Sequence, residues 1–257
     1  MTRSSREATA AVVHHHLAWD SAQLDMRSGQ LAWSSPAGPP GHPNPTTVAA
    51  CLALRPPDED FTTIKVPAMA AGWVEALVRR GARLIDVEHR LVRTGAVNAL
   101  QSPAVRCVNV VSPGPLLDLA PEMRGSRFYR DPRIGAVRAE RLWRASIRNH
   151  CQGRASRLAV AATDGSPVGL IACRDDDDGG GRAPAASRAL CIVGVLPHAR
   201  GRGHAQAMIG ALARESGGPL TVEVLASNRG ALTLYARVGF RLAASHYVLH
   251  IWRDEVA

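Results

Sequence analysis

Lysine is nearly absent: Lys65 is the chain's only one, so the formal net charge of +9 over 257 residues is carried almost wholly by arginine. Nothing in the sequence resembles a helix-turn-helix, an RRM or a zinc module, and the arginine excess reads as the composition of a high-G+C genome rather than a nucleic-acid surface. A positive field still favours anionic ligands. The five cysteines, Cys51, Cys107, Cys151, Cys173 and Cys191, are scattered and include no CxxC pair, which excludes a disulfide framework and leaves them as small reduced core fillers. No apolar run approaches the length of a bilayer span, and Met1 to Ala11 lacks the apolar core of a signal peptide; the expectation is a cytoplasmic protein with no membrane or nucleic-acid partner. Metal chemistry has little to stand on. His14, His15 and His16 have no Cys, Asp or Glu at ligand spacing, and Asp175 to Asp178 lack the EF-hand alternation and its distal Glu. The first group is expected as a solvated or helix-start cluster, the second as a solvated hairpin loop, and no metal is expected.

What is present is an ordinary globular balance, 46% hydrophobic and 21% charged, in a chain long enough for two domains. After a first short strand containing Leu31 and Trp33, Ser34 to Pro45 read as a surface loop. Ala70, Trp73, Val74 and Leu77 form a helical stripe within Pro67 to Arg80, with Gly81 as a stop. Arg83 to Val92 reads as a strand that puts Leu84, Asp86, Glu88 and Arg90 on one face, and a solvated face is the preferred reading of those two acids. Asn98 to Arg124 looks like a linker. A helix striped with Ala139, Leu142, Trp143 and Ile147 follows, then a hairpin of Leu158 to Ala162 and Val168 to Cys173 around Asp164-Gly-Ser-Pro167. Phe240 to Leu242 and Tyr247 to Trp252 are expected as two closing strands with a polar turn between them. The boundary falls near residue 110: residues 1–110 as a smaller α/β domain, residues 111–257 as the main one.

Two stretches carry chemistry. Leu190 to Val195 is an apolar strand; it runs through Arg200-Gly-Arg-Gly-His-Ala205 into a helix whose apolar residues Ala205, Met208, Ile209 and Leu212 recur at i, i+3, i+4 and i+7. Glycines at 201 and 203 let the backbone N–H groups approach a ligand, and the helix turns its positive dipole end toward it. Such a site suits a phosphate, although a bare tight connection has the same look. The second stretch is Asn228-x-x-Ala231-x-x-Leu234-Tyr235-x-x-x-Gly239-Phe240, after the strand Thr221 to Leu225. Asn228 is placed to cap this helix and Gly239 to end it, and Tyr235 could be simply a core aromatic.

The order Arg200-x-x-Gly203-x-Ala205 followed by the Asn228 to Phe240 pattern resembles the signature of the GNAT (Gcn5-related) N-acetyltransferases. The resemblance implies an α/β fold with a mixed central sheet flanked by helices, and acetyl-CoA as cosubstrate. It assigns Val193, Val195, Arg200, Gly201, Arg202, Gly203, His204, Ala205 and Asn228 to cofactor binding, with the diphosphate on the glycine turn and backbone N–H groups of Val193 to Val195 facing the oxyanion. Tyr235 becomes the general acid that protonates the departing CoA thiolate.

Upstream, Trp19-Asp-Ser21, the helix-Gly81-strand unit with acids at its end, and Ser126-Arg-Phe128 before a Trp-containing helix look like the dTDP-fucosamine acetyltransferase type, which acetylates the amine of a dTDP-4-amino-4,6-dideoxy sugar. By position that type's base falls on Asp86, with Glu88 the near alternative. The N-terminal match is loose, and the Pro-rich and Asp/Gly-rich loops depart from the pattern. The implied partner is therefore a small-molecule amine, a dTDP-amino sugar first, with an antibiotic, natural product or other small amine as the alternative acceptor. A CoA-binding protein without turnover is the alternative class, and retention of Tyr235 argues against it. The resemblance leaves room for a homodimer.

Overall fold

The computed structural model describes residues 12–33, 43–95, 104–175 and 187–255. One mixed sheet of ten strands runs through them: β1 (Val12–His16), β2 (Ser28–Trp33), β3 (Phe61–Pro67), β4 (Arg83–Arg93), β5 (Val105–Val108), β6 (Arg157–Thr163), β7 (Ser166–Asp175), β8 (Arg188–Val195), β9 (Leu220–Leu225) and β10 (Arg241–Trp252). Their order across the sheet is β1-β2-β3-β10-β4-β9-β8-β7-β6-β5. Only β2 with β3 and β8 with β9 are parallel, and each parallel pair is joined by a crossover helix, as parallel strands require. These helices are α2 (Pro45–Leu52) and α6 (His204–Ser216), while α3 (Ala71–Val78) and α7 (Arg229–Arg237) follow β3 and β9.

Strand alternation sorts the two faces. On the first, Leu31, Ile64, Val66, Leu249 and Ile251 pack under α2 and α3, and Leu91, Ile171, Val222 and Val224 pack under α6 and α7. Met208, Ile209 and Leu212 of α6 are fully buried there, each contributing roughly 1.5–3 kcal/mol by leaving water. The second face is covered by α1 (Ala18–Leu24), a 3₁₀ run at Gly114–Glu122, the short α4 (Arg127–Arg130) and α5 (Ala136–Asn149). The β6–β7 hairpin closes through Asp164 and Gly165, both at positive φ (49° and 78°), the conformation a two-residue hairpin turn demands.

Several expectations need correction. The sheet does not break near residue 110: β10 lies between β3 and β4, and β5 pairs with β6. Asn98 to Arg124 is not a bare linker, because it contains β5 and the 3₁₀ run, in which Leu116, Leu119 and Ala120 are wholly buried. The two closing strands are one strand, β10, whose register shift between Leu242 and Ala244 lets it pass the polar stretch without turning. Pro67 ends β3, and the helix starts only at Ala71 after a single 3₁₀ turn. The histidines lie in β1 rather than at a helix start: His15 and His16 are exposed, as expected of a solvated cluster, but His14 is half-buried, its Nε2 3.0 Å from Glu59, a carboxylate brought from 45 residues away. The Pro-rich segment through residue 42 and the Asp/Gly loop beyond Asp175 lie outside the described residues.

Candidate active site

The parallel ladder between β8 and β9 is short. Arg188, Ala189 and Leu190 pair with Leu220, Thr221 and Val222, and beyond them the strands part, with β9 held by β4 through Leu225 and β8 held by β7 through Val195. A register shift at β8, where Leu190 and Ile192 face Cys173 and Ala172, starts the divergence. Among the described residues the edge of β8 from Ile192 to Val195 that faces β9 therefore has no strand ladder, and its backbone groups line a notch in the sheet. At Gly194 a Cβ would lie 3.0–3.1 Å from the side-chain ends of Leu119 and Met123 on the second face, so a larger residue would require those side chains to shift. Val193 and Val195 turn to the first face, half-buried beside the α6 core.

At the mouth of the notch the chain bends through Gly201 (φ +77°) and Gly203 (φ +79°) into α6. Only glycine adopts such angles freely. Gly203 is the N-cap of α6 and, among the described residues, no side chain caps the first-turn N–H groups, so the donors a helix start leaves over point outward. Among the described residues a Cβ at Gly201 would meet nothing within 4 Å, and at Gly203 only the end of Gln206 at 3.9 Å. Open space and unbonded donors fit a diphosphate. Arg200 is turned back, its Nε donating to Val195 O at 3.0 Å and its Nη2 resting 2.6 Å from Glu122. Arg202 is exposed, while His204 and Ala205 occupy the first turn of α6, His204 with a buried Nε2 that finds no partner among the described residues.

Tyr235, on α7, is 4% exposed, with its ring 5.3 Å from that of Phe240. Burial pushes its hydroxyl well above the usual phenol range, so it carries its proton at any physiological pH. Asn228 caps α7, Oδ1 accepting from Ala231 N at 3.2 Å. Its amide also abuts Gly125, where a Cβ would lie 2.6 Å from Nδ2, and this ties the loop before α4 to the turn before α7 across the notch.

The carboxylates on β4 do not form a solvated face. Glu88 is 6% exposed, its Oε1 2.6 Å from Lys65 Nζ. Asp86 is held by Val87 N at 2.7 Å, by the Ser227 hydroxyl and, at 3.6 Å, by Arg130. The shift that opposes Leu84 and Asp86 to Leu249 and Val248 inserts Ile85 as an extra residue, which breaks the alternation and removes Leu84 from the acids' face. Sequence reading missed the partners of these groups. Lys65 also reaches Glu223 Oε2 at 3.0 Å, and His246 stands directly across from Glu88, held neutral by burial and by Lys65. The one available signal was the solitary lysine.

Deeper under α4, Asp131 and His250 are both wholly buried. The His250 Nδ1–H donates to Asp131 Oδ2 at 2.7 Å, as does Trp252 Nε1–H at 3.1 Å, and Arg133 N donates to Oδ1 at 2.9 Å. These bonds keep the carboxylate below its usual range against burial, while burial keeps the imidazole neutral. Four of the thiols, in or near the core, suit an inert role, burial raising Cys51, Cys107 and Cys151 to about 11 and Cys173 to about 12. Among the described residues no group of three His, Cys, Asp or Glu side chains could hold a metal ion, and no helix is long and apolar enough to cross a membrane.

Residues 124–240 match the family described as Acetyltransferase (GNAT) family. A Bacillus subtilis protein, the spore coat polysaccharide biosynthesis protein SpsD, is 27% identical over 136 residues, which cover 51% of this chain and 44% of that protein; the match thus spans less than half of the curated relative's length. Among solved structures, a GCN5-related N-acetyltransferase from Kribbella flavida superposes with a TM-score of 0.56 at 17% identity, covering 98% of this chain and 96% of the other. One from Sphaerobacter thermophilus gives 0.54 at 16% identity, covering 95% and 77%. At such identities the likeness speaks for the fold.

Proposed function

We propose, from the match of residues 124–240 to the GNAT acetyltransferase family, that the chain is an acetyl-CoA-dependent N-acetyltransferase acting on the primary amine of a nucleotide-linked amino sugar of the dTDP-4-amino-4,6-dideoxy type. The observation that carries the transferase reading is the notch itself: an unladdered strand edge at Val193–Val195 that opens onto an uncapped helix start at Gly203. For the acceptor, the support is the relative named for polysaccharide biosynthesis, together with an arginine-rich second face, Arg90, Arg127 and Arg130, suited to a second diphosphate.

In this reading Arg200 to Ala205 bind the diphosphate of acetyl-CoA and the edge of β8 directs N–H donors at the thioester carbonyl. Asp86 or Glu88, through water, takes the proton that an ammonium must lose before it can attack. The amine nitrogen bonds to the acetyl carbon, the β8 donors stabilise the oxyanion, and the C–S bond breaks. Tyr235, buried and protonated, gives its proton to the thiolate; the nitrogen sheds its remaining extra proton to solvent as the amide forms, and Tyr235 is reprotonated from solvent. β3 and β4 contribute to the acceptor wall together with β10, which lies between them, and with α4, while residues 188–240 supply the acetyl-CoA side.

The test is release of CoA thiol from acetyl-CoA in the presence of a dTDP-4-amino-4,6-dideoxy sugar, glucosamine or an aminoglycoside. Release with the nucleotide sugar alone is expected. Release with only an unrelated amine overturns the acceptor, and no release with any amine, despite bound acetyl-CoA, makes the chain a binding protein.

A further inference from the structure

Both carboxylates assigned to the acceptor side by position are engaged. Asp86 has three partners and Glu88 is almost buried against Lys65 at 2.6 Å. A third carboxylate is differently placed. Glu223 is the first residue of β9 beyond the ladder with β8, so it stands at the apex of the notch. Its neighbours Val222 and Val224 are buried on the first face, which turns Glu223 to the second face, opposite α6 and α7. Its side chain is 56% exposed, against 8% for Glu88. One oxygen is engaged by Lys65 at 3.0 Å, and Arg90 is its cross-strand neighbour.

We infer that Glu223 binds the ammonium group of the acceptor at the notch and that Lys65, bridging Glu223 and Glu88, is the positioning residue that holds it there. The inference rests on the acetyltransferase reading for the word acceptor, but the preference for an ammonium group does not depend on turnover. Lys65 suits the bridge because a compact ammonium on a four-carbon stem fits between two carboxylates from a single strand position, where the broad guanidinium fork would not. That is a physical reason for one lysine in a chain that otherwise uses arginine. Partial desolvation by the surrounding side chains would raise the Glu223 carboxyl, exposed as it is at one edge, but Lys65, Arg127 and Arg90 outweigh it and hold it below the usual range, so it stays anionic and is suited to attract an ammonium rather than to accept its proton.

Calorimetry separates this from the function reading. A dTDP-4-amino-4,6-dideoxy sugar and glucosamine are each titrated against the hydroxyl counterpart of the same sugar, into the parent protein and into Glu223→Gln, Glu88→Gln and Lys65→Met. The parent should bind at least one amine about tenfold more tightly than its alcohol, Glu223→Gln should erase that difference with acetyl-CoA affinity unchanged, Glu88→Gln should keep most of it, and Lys65→Met should weaken it. No ammonium preference in the parent, or a preference that survives Glu223→Gln or vanishes only in Glu88→Gln, overturns the inference. Ammonium preference without thiol release sinks the transferase reading and leaves Glu223 as the amine site.

Discussion

The two halves of the sheet repeat one arrangement and finish it differently. Reading outward from the central β10–β4 pair, β3 and β2 on one side answer β9 and β8 on the other, with α2 and α3 answering α6 and α7 on the same face. In both, a parallel ladder stops early: at Leu31 in β2 and at Leu190 in β8. Beyond the stop, β2 places Trp33 against Trp73 of α3, centroids 4.8 Å apart, where β8 places Val193. At the following helix start, Asn44 bonds Thr47 N at 2.8 Å with Pro45 behind it, where the other half has the uncapped Gly203. One half spends its side chains on closing the gap, and the other leaves gap and helix start open. Openness is thus a property of a few residues, not of the topology.

That contrast can be broken by substitution. The largest effect expected is on Tyr235, the aromatic of the open half. Tyr235→Phe keeps the ring against Phe240 and removes the proton donor, so turnover should fall by roughly 10²–10⁴ with the melting temperature nearly unchanged. Its counterpart is Trp73→Ala in the closed half, which should cost about 3–5 kcal/mol of stability. Equal loss of stability in the two variants would make Tyr235 a packing residue like Trp73. Next is Asp86→Asn: it keeps size and removes basicity, so kcat should drop by about 10², with acetyl-CoA affinity intact by calorimetry. Full activity in both Asp86→Asn and Glu88→Gln would remove the base assignment.

Gly203→Val forces a β-branched residue to φ +79° at the turn where backbone N–H groups must stay exposed. Acetyl-CoA affinity should fall by about tenfold or more, on the order of 1.4 kcal/mol or above. Unchanged affinity removes the diphosphate from this turn.

Local pattern made the open half legible and left its surroundings obscure. The α6 and α7 stripes, Asn228 as a cap and Gly203 and Gly239 at positive φ all follow from spacing within a dozen residues. The partnership of Lys65 with Glu88 and Glu223 joins strands up to 158 residues apart, and no periodicity reports that β10 inserts between β3 and β4. The preferred reading of Asp86 and Glu88 as solvated failed for the same reason. Alternation gives a side chain's face, but what covers that face is α4 and β3, remote in the chain. The bulge at Ile85 and the single long β10 were hidden by register shifts, which depend on a partner strand.

The seam between the halves should report through pH. His246 and His250 on β10 are both held neutral, each first by burial, as is His150. Their folded pKa values lie below the unfolded one, so below about 6.5 the unfolded chain binds protons that the folded chain refuses. Stability is therefore present above that pH and lost as pH falls through the folded values. The melting temperature should decline from pH 7.5 to pH 5.5. A flat profile would mean that these histidines are protonated in the folded protein.

The smallest effect tests the closed half alone. Asn44 satisfies Thr47 N and the Thr47 hydroxyl, at 2.8 Å and 3.0 Å, with one oxygen, and so occupies the place at α2 that a diphosphate would take at α6. Asn44→Ala frees the donor, and losing a cap of this kind costs about 1 kcal/mol, which in a chain of this size lowers the melting temperature by roughly 2–4 °C. Binding should not change, because Pro45 removes another N–H from the same helix start and Trp33 with Trp73 fills the space beyond it. Calorimetry of Asn44→Ala should therefore show one acetyl-CoA site with the parent affinity. A second site appearing on loss of the cap would mean that capping alone separates the halves; its absence assigns the separation to the tryptophans and the proline as well.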